Sequence, residues 1–225
     1  MDISEYAREI KMPTSICFAS KRCSGKSVMV NQMLKTFVEG KKVDSIIIFS
    51  NTARLNDDYP DFPMSIKHEF SEEKLQKIIN HQKKLPKEKR KHIMIVLDDL
   101  LGDRSAKNSD LIVYAYAISR HINISPILIS QVGNHILTPT IKNNSERIFL
   151  SRLNRGQLIG LWETSITNID KNEFVSLVEH INKDFNFIVI DNTSQSNNPE
   201  DFISVVRADA PDKRNDKPED SSDQK

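Results

Sequence analysis

The chain has 225 residues, 38% of them hydrophobic, with 32 Lys and Arg against 31 Asp and Glu for a net charge of +1. This suits one compact domain with a buried core plus some tail. Near neutrality excludes a chain-wide attraction to nucleic acid or anionic membrane, so any such contact must use a local patch.

The start, MDISEYAREIKMP, is acidic and polar and reads as no secretory signal. No apolar run nears the ~20 residues of a membrane helix, so no direct membrane insertion is expected. Cys17 and Cys23 are too close for an ordinary disulfide framework and point to a reducing, intracellular compartment.

The first apolar run is TSICFAS (14–20), a candidate strand. It leads into ASKRCSGKS (19–27), which nearly fits the phosphate-binding loop G-x-x-x-x-G-K-[ST]. Gly25, Lys26 and Ser27 are in place, and Ser20 stands where the first glycine belongs. A serine there is tolerable if its φ stays negative. A helix is expected over 25–38, where Met29, Met33 and Phe37 form one apolar stripe with Val30 and Leu34 beside it, and Gly40 ends it. Strand, glycine turn and helix together are the context that a phosphate loop needs. The backbone N–H groups of Lys21, Arg22, Cys23, Ser24, Gly25, Lys26 and Ser27 can then curl around a phosphate at the positive helix end. Lys26 would reach the β- and γ-phosphates of a nucleoside triphosphate, and the Ser27 hydroxyl would take Mg²⁺. The alternative is a chance G-K-S at a helix start.

A second strand is expected at SIIIFSN (45–51), then a helix capped by Ser71 and closed by Pro86. KKLPKEKRKH (83–92) follows, with six Lys or Arg in ten positions. It reads as a solvated loop or as a contact to a nucleic-acid phosphate backbone independent of base sequence. HIMIVLDD (92–99) is a buried strand ending in two carboxylates. At the ligand edge of a parallel sheet, Asp98 would hold Mg²⁺ through its water shell, and Asp99 would orient or deprotonate the attacking water. A helix is expected over 108–121 on Leu111, Ala115 and Ile118. PILISQ (126–131) ends in Gln131, which can sense a γ-phosphate. RIFLSRL (147–153), a helix over 171–182, and FNFIVIDN (185–192) complete the alternation. Continuous apolar strands separated by helices imply an α/β domain with a mostly parallel sheet. A domain over 1–192 is expected, with a mostly disordered polar tail over 193–225; FISVV (202–206) is the exception and could dock as an edge strand. The histidines and cysteines show no metal-ligand spacing.

LDDLLGD, SRHINISPILISQVGNHI, TIKNNSERIFLSRL and FNFIVIDN, in this order, resemble the poxvirus-type genome-packaging ATPases of large DNA viruses and virophages, within the FtsK–HerA superfamily of DNA pumps. The resemblance covers about 12–192, with Ser119 where the family typically has glycine. It implies a P-loop NTPase of the additional-strand, RecA-like type with sheet order 5-1-4-3-2. It implies an ATP-hydrolysing motor on double-stranded DNA, built as a hexameric or pentameric ring with ATP at subunit boundaries. It also implies a capsid portal or membrane component as partner and a place of action in the host-cell cytoplasm or virion. Lys26 and Ser27 would bind phosphate and Mg²⁺, Asp98 would bind Mg²⁺, and Gln131 would be the sensor. Arg147 best matches the arginine donated in trans, ahead of Arg152 and Arg155, while Arg120 reads as a structural ion pair. A conjugation- or segregation-type pump and a non-hydrolysing nucleotide-bound switch remain as alternatives.

Overall fold

The computed structural model describes residues 1–53, 55, 58–100, 103–107, 109–130, 137–166, 169–181 and 185–208. The helices are α1 (Ile3–Glu9), α2 (Lys26–Glu39), α3 (Glu72–Lys84), α4 (Arg104–Lys107), α5 (Asp110–Ile118), α6 (Pro139–Asn143), α7 (Arg155–Ser165) and α8 (Lys171–Ile181). The strands are β1 (Ile16–Ser20), β2 (Ser45–Ser50), β3 (Lys67–His68), β4 (Ile93–Asp98), β5 (Ile124–Ser130), β6 (Arg147–Ser151), β7 (Asn186–Asp191) and β8 (Ile203–Arg207).

Among the described residues the eight strands form one sheet in the order β3-β2-β4-β5-β1-β6-β7-β8. The five expected strands lie next to one another in the expected sequence, as β6-β1-β5-β4-β2. The full order differs because β3 extends one edge and β7 and β8 extend the other. Pairing is parallel from β3 to β6, and the β6–β7 and β7–β8 pairs are antiparallel, so β7 alone of the described strands runs against the others. FISVV supplies β8, so the sheet continues beyond Asn192, and Val206 is fully buried. Residues 209–225 of the expected tail lie outside the described residues.

Strand alternation sends side chains to two cores. Ile16 and Phe18 of β1 face α1 and α2, packing with Met29, Met33 and Phe37. Cys17 and Ala19 face the other layer, with Leu75 and Ile79 of α3, Tyr116 of α5, Leu158 of α7 and Phe174 of α8. β1 is buried at every position, as a central strand covered on both faces requires. Ser71 caps α3 by accepting from the Lys74 N–H, as its sequence implied. Among the described residues no helix is long and apolar enough to cross a membrane.

Candidate functional site

The C-terminal ends of the parallel strands share one edge, and the candidate residues converge there. The segment after β1 turns through Cys23 (φ 54°) and Gly25 (φ 85°) into α2. A side chain at Gly25 would suffer this left-handed backbone and meet the Phe185 ring at 3.4 Å. Ser20 has no such φ, and its hydroxyl lies 2.7 Å from that of Ser24, which also donates to the Lys21 carbonyl at 2.9 Å. The serine that replaces the first glycine therefore helps to close the loop.

α2 begins without a side-chain cap, whereas α1, α3, α5, α6 and α7 begin with acceptors from Asp2, Ser71, Ser109, Thr138 and Asn154. Its first N–H groups are left for an anion. The Lys26 ammonium bridges the loop to the Lys21 carbonyl at 2.6 Å. Burial lowers its pKa, against the pull of Asp98, Cys23 and Asp99. Lys26 thus sits within electrostatic reach of both carboxylates at the tip of β4. Ser27 is half-buried in the first turn, while Lys21, Arg22 and Cys23 are exposed. Burial pushes the Cys17 thiol up to about 12, so the exposed Cys23 is the reactive one of the pair.

Asp98 ends β4 and is 5% exposed. The Tyr59 hydroxyl donates to its Oδ2 at 2.6 Å, and Tyr59 is itself fully buried. Burial raises the Asp98 pKa to about 6; the Tyr59 hydrogen bond and Lys26 oppose this, and Asp58 and Asp99 add to it. Asp99 follows in left-handed conformation (φ 49°), half-buried at the rim. A buried carboxylate across from an uncapped helix start and a lysine is a donor set that fits Mg²⁺ and a polyphosphate.

The raised pKa has a consequence for stability. The fold favours protonated Asp98, so its contribution is full below the unfolded value near 4 and is lost as pH rises through about 6. The loss is at most about 3 kcal/mol. Asp98→Asn is therefore expected to raise the ligand-free melting temperature at pH 8 and to leave it nearly unchanged at pH 4, while removing hydrolysis. Parallel melting profiles for the two proteins across this range would contradict the assignment.

The profile of the family described as "Poxvirus A32 protein" matches residues 4–215. The chain belongs to this family. The genome-packaging NTPase B204 of Sulfolobus turreted icosahedral virus 2, solved with ATPγS, aligns at 17% identity and a TM-score of 0.62, over 87% of this chain and 97% of that one. The DNA-packaging ATPase B204 of Sulfolobus turreted icosahedral virus aligns at 18% and 0.61, over 85% and 96%. These likenesses establish a shared P-loop ATPase fold. No curated protein matches the sequence.

Two expectations for this A32-family chain stand apart from the rest. Gln131 follows β5 directly but lies outside the described residues. Arg147 is at the N-terminal end of β6, in register with Ile16, so it occupies the sheet edge opposite the loop. Its side chain is 12% exposed and paired with Asp191 at 3.3 Å and Glu146 at 3.6 Å, and it donates to Thr14 Oγ1 at 3.2 Å. Arg147 thus lies away from the phosphate loop of its own chain. The register that makes Arg147 the first residue of its strand also sends it to the far edge, where Glu146 and the partly exposed Asp191 pair with it. Arg152, at the near edge, donates to the Cys23 carbonyl of its own chain at 2.9 Å. Arg120 pairs with Glu146 at 3.3 Å, as expected of a structural contact.

Sequence reading missed Tyr59 and Phe185. Tyr59 belongs to the segment after β2, and only the β2–β4 pairing brings it to Asp98. Phe185 reads as the first residue of a strand but is a turn residue with φ 61°.

Proposed function

We propose that this chain hydrolyses ATP and couples the reaction to the movement of double-stranded DNA into a viral capsid, as a ring of identical subunits at the assembly site in the host cytoplasm. One observation carries the reading: Lys26, on a loop that ends in an uncapped helix, shares one sheet edge with the Asp98–Asp99 pair. Family membership and the fold shared with the B204 proteins, described as packaging enzymes, support the same reading.

In this reading the loop N–H groups and Lys26 would hold the β- and γ-phosphates, and Ser27 and Asp98 would hold Mg²⁺, which would neutralise phosphate charge. Asp99 takes the proton of the water that attacks the γ-phosphorus as the bond to the β-phosphate oxygen breaks. Gln131 orients that water. The trans arginine comes from an exposed position, Arg155 (60%). The exposed lysines 83, 84, 87, 89 and 91 form a basic strip at the opposite edge, where a DNA backbone fits without base readout. The capsid-side partner would be a portal or membrane component.

The test is ATP turnover by the purified protein with and without duplex DNA. Turnover is expected to rise with DNA of any sequence. Asp99→Asn is expected to lose about 10²-fold or more. Turnover that ignores DNA would remove the translocation half of the reading. An unchanged Asp99→Asn rate would favour a site without this base.

A further inference from the structure

We propose that Phe185 and Arg152 form a platform for the nucleobase, so that this site selects a purine nucleotide over a bare polyphosphate. The proposal rests on the nucleotide reading above and extends it to the part of the ligand that the loop itself does not touch.

Topology sets the direction. Across the near edge the strands run β4-β5-β1-β6-β7. A nucleotide in the loop after β1 points its terminal phosphate toward Asp98, on the β4 side. Its sugar and base must then leave on the opposite side, past β6 and β7. Arg152 is the residue after β6, and Ser151 is in register with Ser20, where the loop begins. Phe185 is the residue before β7, and the Ser151 hydroxyl ties the two strands by donating to the Asn186 carbonyl at 2.9 Å.

The pair is also built for contact. The Arg152 guanidinium sits 4.6 Å from the centre of the Phe185 ring, a cation–π distance. Its Nη1 is anchored to the Cys23 carbonyl of the phosphate loop. The ring edge stands 3.4 Å from where a Gly25 side chain would begin. Both residues hold left-handed backbone, Arg152 at φ 51° and Phe185 at φ 61°. Of the six non-glycine residues with positive φ among the described residues, Cys23, Asp99, Arg152 and Phe185 lie at this one edge. Such conformations persist where the surroundings over-determine them. Yet Phe185 is 48% exposed, so this ring is fixed against the loop and still open to solvent. A flat apolar face beside a phosphate cradle, backed by a guanidinium, is a surface on which a base stacks. A purine covers more of it than a pyrimidine does.

The test compares two probes by calorimetry on the full chain with Mg²⁺: ATP, and inorganic tripolyphosphate, which has no base. The wild type is expected to bind both, ATP more tightly. Phe185→Ala is expected to weaken ATP about 10- to 100-fold and tripolyphosphate by less than about twofold. Should the alanine variant fail to fold, Phe185→Leu keeps apolar volume without a ring and carries the same expectation. Phe185→Trp is expected to retain ATP and to add fluorescence, above that of Trp162, which ATP quenches and tripolyphosphate does not. Equal losses for both probes would mean that Phe185 only shapes the loop, and no loss for either would put the base elsewhere; both outcomes overturn the platform and leave the nucleotide site standing. A wild type that binds neither probe overturns the nucleotide reading and the platform with it.

Discussion

Lys26→Ala is expected to abolish ATP hydrolysis while leaving the fold intact. The ammonium lies at the mouth of the loop, 2.6 Å from the Lys21 carbonyl, on the first residue of α2. Burial already disfavours its charge, so the fold gains little from it. In the proposed reaction its value lies in meeting the charge that grows on the phosphate oxygens as the bond from the γ-phosphorus to the bridging oxygen breaks. Removing one such preorganised donor costs about 10²- to 10³-fold in rate. The neighbouring carboxylates enlarge the effect, because without Lys26 the phosphates would face Asp98 and Asp99 with one cation fewer. Turnover and denaturation midpoint, measured on one preparation, separate chemistry from folding. A variant within about threefold of wild-type turnover would remove the phosphate-loop assignment and the function built on it.

The near edge of the sheet was largely legible in the sequence, for a local reason. A strand, a glycine in left-handed conformation and a helix are consecutive, so TSICFAS–GKS–VMVNQML carries its own geometry. The run ending in Asp98 was equally plain, since a strand buried on both faces leaves its polar tip as the only signal. α7 was not legible. Its sequence, RGQLIGLWETS, holds Gly156 and Gly160, which weaken helix propensity and blur the apolar stripe. The helix forms through its capping box at Asn154 and Gln157 and by burying Leu158 and Leu161. Tyr59, Phe185 and the surroundings of Arg147 depend on which strands become neighbours. Asp191 meets Arg147 because β7 runs antiparallel to β6, and periodicity within either strand carries no trace of that pairing.

Arg147→Ala is expected to damage the fold and to spare the chemistry. The guanidinium joins three segments: Thr14 just before β1, Glu146 just before β6 and Asp191 at the end of β7. Arg147 and Glu146 are 12% and 11% exposed, so their charges are held away from water and depend on each other. Truncating one partner of a buried pair strands the other and typically costs about 3 kcal/mol or more. The lower end applies here, because Glu146 keeps the Thr14 hydroxyl at 2.9 Å and Arg120 at 3.3 Å, and Asp191 is 29% exposed. Urea denaturation should register the shift, and Arg147→Met should recover part of it by restoring packing along the stem. A trans finger makes the opposite prediction. Its loss would leave the denaturation midpoint alone and remove about 10³- to 10⁵-fold in rate. Mixing Arg147→Ala with Lys26→Ala subunits would then restore turnover, since an intact Arg147 would face an intact loop at some boundaries. With Arg147 committed to its own sheet, mixing should restore nothing beyond the activity of the folded Arg147→Ala fraction. Rescue by mixing, with an unshifted midpoint, would mean that a neighbouring subunit's loop reaches the far edge of this sheet and draws Arg147 out of its ion pairs.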